Sequence, residues 1–177
     1  EYSIALNEKN GRDAASSILT TVRVENNAQL AIAPYYYFTA SIYKGECTSS
    51  RVALMTAKSS DTSLYFAEIN GEQVWKLVEN YLDHTENEFF ITNQYELPIL
   101  SGMKITVQKE EDGFSLKDIT VDQEEIDKEK EYSILLTDTT RSILEKTTPG
   151  CRIKQLQDMT LSSAWTAFME KGQQPLA

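Results

Sequence analysis

The chain has 177 residues, of which 41% are hydrophobic and 25% are charged, and its net charge is −10. This length and apolar content predict a single domain over residues 1–177 with a sizeable core. An acidic chain without a basic stripe offers phosphates no binding surface, so no nucleic-acid partner is expected, and no apolar run is long enough to span a bilayer. The single histidine, His84, argues against zinc-hydrolase, Ser-His-Asp and Cys-His chemistry, and we expect it at the end of a helix.

The first third of the chain alternates helical and strand patterns. Apolar periodicity predicts an amphipathic helix over residues 12–24 and a short buried strand, Leu30–Ala33, which Pro34 ends. A weak helical turn over residues 48–55 and a strand over residues 64–69 follow. These elements indicate alternating helical and extended structure around one core.

Two further helices carry clear start signals. Asn70 is a suitable N-cap for a helix whose apolar residues recur at helical spacing, at Val74, Trp75, Val78, Tyr81 and Leu82. Thr160 is a suitable N-cap for the last helix, and Gly172 is placed to end it. Both helices are predicted to bury one face.

Three strands are predicted between these helices, at residues 103–108, 115–121 and 132–137. Residues 110–113 are typical of a hairpin turn, and the charged residues 122–131 are predicted to form a solvated loop. Strands clustered between helices indicate an α+β fold with layered architecture.

Four consecutive aromatic residues, Tyr35–Phe38, are the most unusual feature of the composition. Their faces could stack on a base or a sugar, and each such stack contributes ~1–3 kcal/mol. Alternatively, alternate rings pack inward from a strand while the others lie at the surface, and we favour this second interpretation. Cys47 and Cys151 could form one disulfide or remain two buried thiols.

Five segments, taken in order, resemble the C-terminal domain of the 5′-nucleotidase family, which comprises secreted or periplasmic metallophosphoesterases acting on nucleotides and UDP-sugars. They carry the family's strand, turn and helix motifs across nearly the whole chain. The segments are Ala28–Ala33 with Ile42–Gly45, Leu64–Glu79, Leu97–Lys104, Ile119–Thr137 and Met159–Gly172.

The resemblance implies a layered α/β domain of the 5′-nucleotidase C-terminal type, attached behind an N-terminal two-metal phosphatase domain. That partner domain would hold the divalent metals, so this domain would need no cofactor and would not be catalytic alone. In the family, the C-terminal domain binds the nucleoside between two aromatic rings and the phosphate with arginines. The chain begins at Glu1, and we expect it to be a fragment of a longer exported protein that is extracellular, at the cell surface or periplasmic.

The chain departs from the family at the positions that bind substrate. The family's Asn-Gly-Gly turn is replaced by Pro34–Phe38, and Thr39 stands where the family has an arginine. Ser16 aligns with the arginines of the first helix, with Arg12 nearby, and Thr139 replaces the second aromatic ring. The candidate substrate-binding residues are therefore Arg12, Tyr35, Tyr36, Tyr37, Phe38, Thr39 and Thr139.

Three functions follow from these departures. The chain is first interpreted as an accessory, substrate-specificity domain of a metallophosphoesterase, with an altered pocket for a nucleotide or another small ligand. The alternatives are a non-enzymatic extracellular interaction module and an intact nucleotide-binding domain whose clamp residues lie elsewhere. Because Cys47 and Cys151 fall in loops at the two places where the family builds its substrate wall, the resemblance also suggests that they lie within disulfide reach.

Overall fold

The computed structural model describes residues 3–6, 9, 11–38, 42, 44–56, 63–83, 97–111 and 113–177. The described residues form ten strands, five α-helices and one 3₁₀ turn. The elements are β1 (Ser3–Leu6), α1 (Gly11–Glu25), β2 (Leu30–Ala33), a 3₁₀ turn (Tyr35–Tyr37), β3 (Gly45–Thr48), α2 (Ser49–Ala53), β4 (Ser63–Asn70), α3 (Gly71–Asp83), β5 (Ile99–Ser101), β6 (Lys104–Glu110), β7 (Gly113–Val121), β8 (Glu124–Glu125), β9 (Glu131–Leu136), α4 (Asp138–Thr147), β10 (Ile153–Thr160) and α5 (Leu161–Glu170).

A five-stranded mixed sheet in the order β10-β4-β9-β2-β5 forms the centre of the described fold. Strands β2 and β9 pair in parallel, with Ile32 opposite Leu136, whereas the other neighbours are antiparallel. A second sheet, β6-β7-β8, and the short β1-β3 pair complete the described strands. All four residues of β2 are buried, as expected for a central strand covered on both faces.

The central sheet separates two hydrophobic cores. Because successive side chains of a strand point to opposite faces, Ala31 and Ala33 enter one core while Leu30 and Ile32 enter the other. Helices α1, α2 and α5 cover the first core, which contains the fully buried Trp165. Helices α3 and α4 and the three-stranded sheet cover the second core. The predicted layered α+β fold is therefore confirmed.

The start of α3 is fixed by the charged segment that the sequence predicted to be a solvated loop. Asn70 and Gln73 exchange hydrogen bonds between side chain and backbone, both at 2.9 Å, which confirms the predicted N-cap. The carbonyls of Lys130 and Lys128 accept from the N–H groups of Gly71 and Glu72, at 3.0 and 3.1 Å. Segment 122–131 therefore satisfies the first N–H groups of α3 through its backbone. Its charged side chains are exposed, as predicted for a solvated loop, whereas Glu124–Glu125 form β8 and Ile126 is buried.

Most predicted elements are confirmed, with shifts of one or two residues at their ends. Helix α4 and the strands β1, β3, β5, β8 and β10 were not predicted. Helix α4 buries few apolar side chains, and its buried residues are Thr140, Ile143 and Leu144. Strand β10 pairs with β4 through a shifted register and places Asp158 at a positive φ of 53°, so its apolar residues do not alternate regularly.

Gly102 generates a prediction about stability. It has a φ of +77°, and a Cβ added there would lie 2.0 Å from the carbonyl oxygen of Gln29, which Arg23 holds by a hydrogen bond. We expect Gly102→Ala to lower the free energy of unfolding by more than about 2 kcal/mol, because positive φ and a backbone clash add together. The measurement is urea denaturation followed by circular dichroism.

Gly150→Ala is the matched control for this variant. Gly150 has a φ of +86°, but a Cβ added there meets nothing within 4 Å. In Gly150→Ala only the positive φ is unfavourable, so the free energy of unfolding should fall by about 1 kcal/mol. Equal losses in the two variants would contradict the role of the close approach to Gln29.

Candidate functional site

The aromatic residues that follow β2 form a 3₁₀ turn. Pro34 ends the strand with a φ of −60°, and the N–H of Phe38 donates to the carbonyl of Tyr35 at 3.0 Å. Tyr37 and Phe38 are buried in the first core, whereas Tyr35 is half-buried and Tyr36 is 36% exposed. The favoured interpretation, alternate rings turned inward from a strand, is wrong because the backbone is helical here and the two buried rings are adjacent.

The hydroxyl of Thr139 joins two of these tyrosines. Its Oγ1 lies 2.9 Å from the Tyr36 hydroxyl and 3.1 Å from the Tyr37 hydroxyl. The two rings are inclined by 59°, with centroids 4.7 Å apart. Thr139 belongs to the first turn of α4, whose position is fixed by the capping box of Thr137 and Thr140. The strand before α4 runs parallel to β2, so the tyrosine turn and the start of α4 leave the sheet at the same edge.

Arg12 lies beside the third tyrosine. Its guanidinium carbon is 5.2 Å from the centre of the Tyr35 ring, within cation–π distance. Two of its nitrogens donate to backbone carbonyls, Nη1 to Leu97 at 3.0 Å and Nη2 to Pro98. Burial lowers the pKa of Arg12, against the opposing influence of the phenols of Tyr35 and Tyr81, and the group stays charged at neutral pH.

Tyr81 is a member of this group that the sequence analysis placed only within the apolar stripe of α3. It is 7% exposed, and burial raises its pKa far above the usual range, with a further rise from Tyr36, an opposing effect of Arg12 and a rise from Tyr37. The available signal was a tyrosine on an apolar stripe, because its hydroxyl needs a polar neighbour. These residues are called the tyrosine cluster below: Arg12, Tyr35, Tyr36, Tyr37, Tyr81 and Thr139.

A second arginine lies near the start of α4 and is also paired. The guanidinium carbon of Arg141 is 5.0 Å from the centre of the Tyr65 ring, and its Nη1 donates to both carboxylate oxygens of Glu145, at 2.7 and 2.8 Å. The Tyr65 hydroxyl donates to Asp138 at 2.7 Å, and this bond raises the pKa of Tyr65. Arg141 is therefore held by carboxylates of its own helix.

The structure brings together five of the seven candidate site residues. Arg12, Tyr35, Tyr36, Tyr37 and Thr139 belong to the tyrosine cluster, while Phe38 turns into the first core. Thr39 and His84 lie outside the described residues. Among the residues that are described, no three His, Cys, Asp or Glu side chains form a group able to hold a metal ion. No described helix is both long enough and apolar enough to pass through a membrane.

The suggested proximity of the two cysteines is not found. Both are free thiols. Cys47 is buried in the first core, whereas Cys151 packs against the second, on the other side of the central sheet. Burial raises the pKa of each thiol, which disfavours the reactive thiolate. The disulfide prediction is therefore wrong for this structure.

Comparisons with known proteins identify the fold and the family. The family model described as "5'-nucleotidase, C-terminal domain" matches residues 5–143, which is most of the chain. No curated protein sequence matches it. Among solved structures, a 5′-nucleotidase precursor from Thermus thermophilus aligns with a TM-score of 0.70 and 13% identity, over 95% of this chain and 35% of that chain.

Two further structures share the fold. An NAD nucleotidase from Haemophilus influenzae aligns with a TM-score of 0.70 and 14% identity, over 98% of this chain and 35% of its own. A sulfate thiohydrolase, also from Thermus thermophilus, aligns with a TM-score of 0.61 and 12% identity, over 91% of this chain and 29% of its own. The chain thus spans about a third of the length of these proteins. Identities this low establish the fold and not the substrate.

Tyr36 generates a prediction about pH. Burial raises the pKa of Tyr36 to about 12, opposed by its hydrogen bond with Thr139. Below about pH 10 both folded and unfolded chains keep this proton, so its contribution to stability is constant. Between about pH 10 and the folded pKa, the unfolded chain loses the proton first, so stability falls as pH rises.

We therefore expect the free energy of unfolding to fall less steeply above about pH 10 in Tyr36→Phe than in the unaltered chain. Urea denaturation at a series of alkaline pH values measures the two slopes. The difference in tyrosinate absorbance between the two proteins should also titrate near the raised pKa. Identical slopes would contradict the assigned environment of Tyr36.

Proposed function

Since the chain belongs to the family of 5′-nucleotidase C-terminal domains, we propose that it is the accessory, substrate-contacting domain of an exported 5′-nucleotidase-like metallophosphoesterase. Its nucleotide-binding motifs are altered, and it carries no catalytic metal site of its own. The divalent metals of the reaction belong to an N-terminal phosphatase domain of the longer protein. The chain's span, about a third of the length of its structural relatives, supports a place within such a longer protein.

This proposal rests on one observation: the tyrosine turn lies against both Thr139 and Arg12. These residues come from three distant parts of the chain and meet at one edge of the central sheet. By resemblance, Thr139 stands at the position of one of the family's two aromatic rings, and Arg12 lies near Ser16, which aligns with the arginines of the first helix. Tyr36 presents the most exposed ring of the cluster, so a ligand that stacks on it would bind at the surface of this edge.

The bonding within the cluster supports an altered specificity. A phosphate group carries up to two negative charges and is bound best by several forked, charge-assisted donors. Arg12 directs two of its nitrogens to carbonyls, and Arg141 is paired with Glu145. What the cluster offers a ligand is therefore aromatic surface and hydroxyl groups more than cationic forks. The sulfate thiohydrolase that shares this fold is named for a substrate that is not a nucleotide.

An extracellular interaction module is the second candidate function. The mutual hydrogen bonds of Tyr36, Thr139 and Tyr37 favour it, because a polar cluster that satisfies itself is stable without a ligand. The sequence that precedes Glu1 in the parent protein separates the two candidates. A preceding region with D-x-H, N-H-E and H-x-H motifs would support the accessory domain, whereas a signal peptide leading directly into Glu1 would support the interaction module.

Calorimetric titration of this chain tests the altered clamp. We expect adenosine 5′-monophosphate to bind no more tightly than adenosine at low salt, because the phosphate would find no free arginine fork. Titration with a UDP-sugar extends the test to the family's other substrate class. If the monophosphate binds saturably and much more tightly than adenosine, the phosphate clamp is intact, and the proposed alteration is wrong.

Kinetics of the parent protein test the accessory role. Tyr36→Ala is expected to raise the KM of its preferred large substrate by about 5- to 100-fold, the loss of one stacking contact of ~1–3 kcal/mol. Hydrolysis of a small phosphate ester such as glycerol phosphate, which cannot reach this domain, should be unchanged. Phe114→Ala, which removes a half-buried ring from the three-stranded sheet, is the matched control. An unchanged KM for every substrate in Tyr36→Ala would contradict the accessory role.

A further inference from the structure

The segment that follows α5 returns to lie on α1. Gly172, with a φ of +70°, ends α5 and redirects the chain. The N–H of Leu176 then donates to Thr21 Oγ1 at 2.9 Å. The carbonyl of Leu176 accepts from Ser17 Oγ and, at 3.3 Å, from Lys9 Nζ. Both backbone groups of Leu176, its N–H and its carbonyl, are thus hydrogen-bonded.

The donors and acceptors of this surface have fixed directions. A hydroxyl has one proton, and Thr21 donates its proton to the carbonyl of Ser17 at 2.8 Å, which leaves its oxygen to accept from Leu176. Ser17 accepts from Lys9 Nζ at 3.0 Å, so its own proton is available for the carbonyl of Leu176. The surface therefore presents one acceptor and two donors, which match the N–H and C=O groups of one peptide residue.

The spacing of Ser17 and Thr21 on α1 explains why one residue, Leu176, can bond to both of them. Ser17 and Thr21 lie four residues apart, so their side chains are neighbours on one face of α1. Both are buried, at 1% and 0% exposed. With the segment in place, the bonds to Leu176 satisfy these two buried hydroxyls without water.

At Leu176, the observed contacts are made by the backbone. The Leu176 side chain remains 37% exposed. The next residue, Ala177, lies at one end of an open groove of about 650 Å³ that also contains Thr20, Arg23 and Ser101. A peptide that follows the path of the segment can therefore extend into this groove.

We propose that the face of α1 formed by Lys9, Ser17 and Thr21 is a binding surface for an extended peptide, occupied here by the chain's own residues 173–177. This peptide surface is distinct from the tyrosine cluster and goes beyond the proposed function. The occupant is an intramolecular segment, held by hydrogen bonds that any non-proline residue at position 176 can make.

Two variants of the 177-residue chain test the proposal. Leu176→Pro removes the N–H that Thr21 accepts, whereas Leu176→Ala keeps it and changes only an exposed side chain. The vacated surface of Leu176→Pro should bind the acetylated peptide Gln-Gln-Pro-Leu-Ala, with saturable changes in the NMR resonances of Ser17 and Thr21. The peptide is added at about 5 mM, the scale of a short tether's effective concentration. Leu176→Ala, whose surface stays occupied, should bind it much more weakly.

Thermal unfolding provides a second readout. The midpoint of Leu176→Pro should fall by about 3 °C or more relative to Leu176→Ala, and saturating peptide should restore part of this loss. A chain that ends at Gly172 offers a second vacated surface if the proline variant does not fold. If neither vacated surface binds the peptide, or if Leu176→Ala binds it equally well, the proposal is overturned.

Discussion

The parallel pairing of β2 with β9 is the constraint on which the candidate site depends. Parallel strands run in the same direction, so Ala33 and Leu136, where these strands end, lie at one edge of the sheet. The chain leaves this edge twice, through Pro34 into the tyrosine turn and through Thr137 into α4. Residues 103 positions apart in sequence consequently share a hydrogen bond, that between Tyr36 and Thr139. The two cores hold the edge in place, because each strand sends alternate side chains into both.

The hydrogen bonds within the tyrosine cluster differ in strength. A ligand that binds there would most easily form new hydrogen bonds with the groups whose existing bonds are weakest. A hydrogen bond between neutral hydroxyls contributes about 0.5–1.5 kcal/mol net, and a ligand hydroxyl can replace it with little loss. A bond from a charged donor contributes about 1.5–3 kcal/mol, and Arg12 makes two such bonds to the residues that lead into β5. A ligand that drew Arg12 away from the carbonyls of Leu97 and Pro98 would also remove hydrogen bonds that hold the residues before β5. A ligand would therefore replace the hydrogen bond between Tyr36 and Thr139 at a lower cost in free energy than the hydrogen bonds of the Arg12 guanidinium.

The sequence predicts the helices that bury a regular apolar stripe, and it fails where tertiary contacts decide. Helix α3 was found from Asn70 and its stripe, because both signals are local. Helix α4 was missed because its first turn is polar and contacts other segments rather than a broad core. The resemblance singled out Thr139 and the tyrosine turn, yet neither composition nor spacing could show that they touch. Tyr81 was placed in the core for the same reason, since only the folded chain brings it close to Arg12 and Tyr36.

Some positions of the family's fold require glycine and others do not. In this chain, Gly71 and Gly102 belong to the first kind, and the turn after Pro34 belongs to the second. At Gly71 an added Cβ would lie 2.2 Å from the carbonyl oxygen of Asp127, and at Gly102 the distance to Gln29 would be 2.0 Å. Backbone passes backbone at both sites, so no side chain fits there. The turn after Pro34 carries no such constraint: its tyrosines adopt a 3₁₀ conformation without positive φ, although the family has glycines there. The backbone therefore accepts side chains in this turn, and the less buried positions, Tyr35 and Tyr36, can vary with less effect on the core than Tyr37 and Phe38. Variation of this kind is how a shared fold can present a different surface.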